Sequence, residues 1–145
     1  MKKTLMAILL ASSFSNAIAN DGSQIYFGVL DNSSGSPVLN AVSEVSRSKG
    51  ELVCWLVKEL PAKTPYKVVE TFNSPAGSVF ERVATVTQIN ENATEHILAY
   101  PIHTNEEGHY MACWGFGNSD PVGLYQHKVQ LNGKEFEPNQ FQLVQ

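Results

Sequence analysis

An all-β sandwich of about seven to nine antiparallel strands is what the amino-acid sequence predicts, and three observations carry that prediction. Short runs of β-branched and aromatic residues recur at spacings of roughly 8–14 residues, the rhythm of a sandwich or barrel. Clusters of Gly, Pro, Asn, Asp and Ser separate them. Helical periodicity is almost absent beyond the first twenty residues.

The runs follow in order. Gln24 to Leu30 is closed by the turn-rich Asp31 to Pro37, and Val38 to Ser46 ends at Arg47-Ser48-Lys49-Gly50. Residues 43–51 also fit a helical turn. Glu51 to Leu60 is the most apolar run and stops at Pro61. Tyr66 to Phe72 alternates between apolar and polar, as does Val79 to Ile89 after the turn Asn73 to Gly77. His96 to His103 and His109 to Phe116 flank Asn105-Glu106-Glu107-Gly108, which predicts a hairpin loop. Gly123 to Leu131 and Glu135 to Val144 flank Asn132-Gly133, the strongest short hairpin signal in the chain. Pro138 cannot donate to a ladder, so the last run predicts an edge strand or a bulge. No internal repeat or linker interrupts the chain, and residues 20–145 read as a single domain.

The first residues set the expected compartment. Lys2 and Lys3, an apolar run from Leu5 to Leu10 and the small residues of Ala17-Ile18-Ala19 have the three-part layout of a secretory signal. Residues 1–19 are expected to be removed, giving a periplasmic or secreted protein that starts at Asn20. The apolar run is too short to span a bilayer, and no longer one follows, so no stable membrane insertion is expected. About 126 residues remain, the size of one domain with a core of its own. Loss of Lys2 and Lys3 takes the formal charge from −4 to −6. That sign argues against nucleic acid and anionic membrane surfaces as partners.

Two cysteines, Cys54 and Cys113, remain in the mature chain. In an oxidising compartment a lone pair most simply forms one disulfide, the alternative being two buried thiols. Each is followed by a tryptophan, Trp55 and Trp114. Neighbouring residues face opposite sides of a strand, so sulfurs that meet on one face leave both indoles on the other. Those indoles either line the core or form an exposed aromatic patch for a partner or a sugar ring.

The segment Asp120-Pro121-Val122-Gly123-Leu124-Tyr125, followed by a strand, Asn132-Gly133 and a last strand, resembles the end of extracytoplasmic bacterial immunoglobulin-like β-sandwich domains. The resemblance covers residues 120–144. It implies that Gly123 lets the backbone swing between sheets and that the Tyr125 hydroxyl returns to the preceding loop as a tyrosine corner. Gly108-His109-Tyr110 before Cys113 is a rival corner. Its tyrosine precedes the cysteine by three positions, which puts the two on opposite faces, and no Trp stands in the expected place after Cys54. Membership of the antibody-type family is therefore not expected.

Chemistry-bearing motifs are sparse, and no catalytic residue and no cofactor is assigned. Four histidines, His96, His103, His109 and His127, are the candidates for a metal or acid–base site, and of these His103 and His109 flank the Asn105–Gly108 loop and could converge with Glu106 or Glu107. No His-Glu-x-x-His and no Gly-x-Ser-x-Gly element is present. The expected function is a non-catalytic exported binding or adaptor protein of the cell envelope or secreted space, recognising a protein or glycan partner. The alternative is a histidine-centred hydrolase or metal-binding protein of the periplasm.

Overall fold

A computed structural model describes residues 22–145; the expected signal peptide lies outside the described residues. Strands β1 (Gln24–Asp31), β2 (Val38–Asn40), β4 (Leu52–Lys58) and β8 (Tyr110–Gly115) form one sheet in the order β2-β1-β4-β8. The second sheet holds β3 (Glu44–Ser46), β5 (Pro65–Asn73), β6 (Val86–Ile89), β7 (Glu95–His103), β9 (Gly123–Leu131) and β11 (Asn139–Val144). Its order is β3-β11-β9-β5-β7-β6, with the short β10 (Lys134–Glu135) paired to β9. The two sheets enclose the core, giving an immunoglobulin-like sandwich.

Local chemistry explains most of the boundaries. Asn132 and Gly133 both take positive φ, 45° and 86°, as a two-residue hairpin turn requires. Pro138 falls in the gap between β10 and β11, where no ladder bond is needed from it. β11 itself is no edge strand, since β3 and β9 flank it.

Five expectations change. Val38 to Ser46 is two short strands in different sheets, because the chain crosses the sandwich between Asn40 and Glu44. β3 then runs parallel to β11, an exception to the antiparallel pattern, with Val45 opposite Leu143 and both buried. The helical turn at residues 43–51 is instead strand β3 and a tight turn closed by Gly50 N–H to the Arg47 carbonyl at 3.1 Å. Val79 to Ile89 is a strand only from Val86, since Phe80 turns inward to stack on Phe72 at 4.0 Å and Ala84 has φ 58°. Asn105 to Gly108 makes no hairpin: β7 and β8 lie in different sheets, and this loop carries the chain across.

The core has two lobes. Phe72, Tyr125, Val53 and Trp114 belong to one, while Val68, Val129, Trp55 and Tyr100 belong to the other. On β5 the residue between Val68 and Phe72 is Glu70, and on β9 the residue between Tyr125 and Val129 is His127. A polar pair therefore sits at the waist of the sandwich.

Candidate functional site

Glu70 has no exposed surface, yet its carboxylate is fully engaged. Oε1 accepts hydrogen bonds from Trp55 Nε1 at 2.5 Å, Trp114 Nε1 at 3.0 Å and His127 Nε2 at 3.0 Å. Oε2 accepts one from the Tyr100 hydroxyl at 2.8 Å. Burial by itself would push the carboxyl pKa up. The His127 hydrogen bond and charge, with donation from Trp114 and Tyr100, overcome that and hold it below the ordinary 4.5. The same burial, with the Glu70 charge beside it, drives the Tyr100 hydroxyl far above its ordinary range. Arg82 closes the side of the sandwich, its guanidinium 4.6 Å from the Trp114 ring centre and 5.0 Å from that of Tyr100. Its Nη2 also donates to the Cys113 carbonyl at 3.4 Å, on the free edge of β8. With Glu70, Trp55 and His127 at 0% exposure, this cluster offers no surface to a substrate. It joins the two sheets and decides how they meet.

Trp55 and Trp114 are therefore buried, and the exposed aromatic patch considered for them does not exist. Their side chains share the inner face because Cys54 and Cys113 share the outer one. Cys54 lies directly opposite Cys113 across β4 and β8, and the two form a disulfide with Cα atoms 4.0 Å apart. Gly28 completes that row on β1, and a side chain there would meet the Asn40 backbone at 2.7 Å.

Tyr125 donates its hydroxyl proton to the Pro121 carbonyl at 2.7 Å, with Ser78 Oγ at 2.9 Å as second partner. This is a tyrosine corner, closed onto the residue four positions upstream. Gly123 has φ 140°, and an added Cβ would lie 2.8 Å from Pro75 Cγ. At the rival position, Gly108 is needed for contact instead, since a Cβ there would sit 1.9 Å from the Leu60 carbonyl oxygen.

His103 and His109 come to one place without forming a metal set. Among the described residues, no group of three or more His, Cys, Asp or Glu side chains is arranged to hold an ion. The two glutamates of the loop diverge: Glu106 pairs with Lys63 at 2.9 Å, and Glu107 Oε2 lies 3.5 Å from His109 Nδ1.

What the two histidines do line is a half-open groove of about 680 Å³ on the outer face of the four-stranded sheet. Its floor is the cross-strand row Tyr26, Leu56 and Met111, one step from the disulfide row. Pro37, Val38, Leu39 and Leu30 wall the end toward β2. Lys58, His103, Asn105, His109 and Tyr110 stand at the other end. The volume lies within the ~300–1,000 Å³ usual for ligand sites. Outer faces of exposed sheets are ordinarily polar, and a floor of Tyr, Leu and Met departs from that. The alternation of Tyr26, Gly28 and Leu30 on β1 carried a signal for this groove. It was masked because Phe27 and Val29 on the other face are apolar too.

These features define a small immunoglobulin-like β-sandwich with one inter-strand disulfide, a tyrosine corner and a surface groove. Residues 25–144 match the PM0630 beta sandwich domain, and the chain belongs to that family. The protein PM0630 of Pasteurella multocida (strain Pm70) is 28% identical over 120 residues, covering 81% of this chain and 76% of that protein. Among solved structures, an immunoglobulin-like protein from Pseudomonas aeruginosa covers 83% of this chain and 92% of its own, at 12% identity and a TM-score of 0.48. The alkylpurine DNA glycosylase AlkC of Pseudomonas fluorescens, solved bound to DNA containing an abasic site analog, covers 83% of this chain and 30% of its own. Its identity is 10% and its TM-score 0.41.

Proposed function

We propose that this chain is an exported, non-catalytic binding or adaptor domain of the cell envelope or secreted space, and that the groove over Tyr26, Leu56 and Met111 is where it holds its partner. The observation that carries the reading is the groove itself, an apolar depression on a sheet face that otherwise meets water. The buried Glu70 cluster supports it indirectly, since a rigid sandwich core positions surface features without taking part in chemistry. No helix among the described residues is long and apolar enough to cross a membrane. Export rests on residues 1–19.

The test is affinity capture from envelope extracts with the mature domain as bait, wild type against Met111→Glu. Met111 is 39% exposed, so the substitution should leave folding intact while placing a charge on the groove floor. A stoichiometric protein or glycan recovered with wild type and lost with the variant is the expected result. Equal recovery by both would move the binding surface elsewhere on the domain.

A further inference from the structure

We infer that the groove takes the C-terminal end of an extended, apolar peptide, with the carboxylate at Lys58 and the side chains running toward Leu39. This inference rests on the binding function proposed above and names the ligand class.

The groove is polar at one end and apolar at the other. Along β1, Gln24 pairs with Lys58, Tyr26 with Leu56, Gly28 with Cys54, and Leu30 with Leu39 on β2. From the Lys58 row to the Leu30 row is six residues, about 20 Å of strand. Apolar side chains dominate that length until its cationic end. There the Lys58 ammonium lies 5.5 Å from the centre of the Tyr26 ring, which places its charge at the mouth of the groove. His109 stands beside it, with Tyr110 opposite Val57 fixing the register. Asn105 accepts the Glu107 and His109 backbone N–H groups with Oδ1, which leaves its amide N–H donors for a ligand. Among the described residues, Glu107 is the carboxylate that pairs with a groove residue at this end, through His109, and Lys58 supplies the principal charge. On a chain of net negative charge, a groove whose charged end is cationic selects an anion.

Shape selects a peptide over an acyl chain. A half-open groove would leave an acyl chain exposed along one side. An extended peptide instead buries every second side chain on the floor and leaves its alternate side chains and free amide groups to water. A single carboxylate at one end, followed by apolar residues, matches the separation of charge and apolar floor.

The probes are acetyl-Leu-Ser-Leu-Ser-Leu with a free C-terminus, the same peptide as its C-terminal amide, and sodium dodecanoate. Each is titrated into the full mature domain and read by amide NMR shifts and calorimetry. The free acid is expected to shift Tyr26, Leu56, Met111 and His109 and to bind about fivefold tighter than the amide. Lys58→Gln should erase that difference, and Met111→Glu should weaken the acid at least about tenfold. Wild-type NMR dispersion in each variant establishes that it is folded. Equal binding of acid and amide overturns the carboxylate assignment. Dodecanoate binding at these residues without peptide binding makes the groove a lipid site and overturns the peptide class. Absence of peptide binding, with Met111→Glu still abolishing capture from extracts, overturns this inference and leaves the binding function standing. Loss of both overturns the two together.

Discussion

Replacing Glu70 should be among the most damaging single changes in this domain, with the size depending on what replaces it. In Glu70→Leu, four donors lose their acceptor: the indoles of Trp55 and Trp114, the Tyr100 hydroxyl and the His127 ring. Each buried unpaired group costs about 1–3 kcal/mol, so the sum over the four is roughly 4–12 kcal/mol. That is comparable to the whole stability of a domain, ~5–15 kcal/mol, and the variant should be largely unfolded or barely stable. Glu70→Gln keeps an acceptor oxygen for the three donors on Oε1, and its amide can donate to Tyr100. Its loss is the charge assistance of those bonds less the relieved desolvation of a buried anion, about 1–3 kcal/mol. The pH dependence separates the two terms. The folded carboxyl titrates below its ordinary 4.5, so its contribution to stability is full above that value and is lost as pH falls through the folded pKa. Urea unfolding of wild type should therefore show falling stability below pH 4.5, and Glu70→Gln should show a flatter slope in that window. A Glu70→Leu variant as stable as wild type, or a Gln variant with an unchanged acid slope, would refute the reasoning.

Other consequences can be measured on the same material. Tyr125→Phe should cost roughly 0.5–1.5 kcal/mol in urea unfolding, because the bonds to Pro121 and Ser78 are lost from a buried ring. Gly123→Ala should cost more than ~1 kcal/mol, through positive φ and the clash with Pro75. Cys54→Ala and Cys113→Ala should each lose a similar amount, up to about 4 kcal/mol, and the double variant little more than either. Native protein should not alkylate before reduction. Intact-mass analysis of exported protein should show a chain beginning at Asn20.

What the sequence determines alone is the alternation that assigns faces and the turns that end strands. Tyr66, Val68, Glu70 and Phe72 occupy one parity of β5, and Tyr125, His127 and Val129 one parity of β9, so the inward position of Glu70 and His127 was legible. The tyrosine corner was legible too, because Gly123, Tyr125 and Pro121 lie within one local segment. So was the Asn132-Gly133 turn, since its backbone demand is met by two adjacent residues. The convergence of Trp55, Trp114, Tyr100 and His127 on a single carboxylate was not. It brings together five strands from two sheets, the four that carry the donors and the one that carries Glu70, and the spacing between sheets is set by packing rather than by local preference. Short strands crossing between sheets escaped for the same reason: β2 and β3 read as one run because nothing local marks the change of sheet. The groove likewise depends on β1, β4 and β8 aligning Tyr26, Leu56 and Met111 in one row. Strand periodicity tells which face a residue takes, but only tertiary register decides which residues become neighbours there.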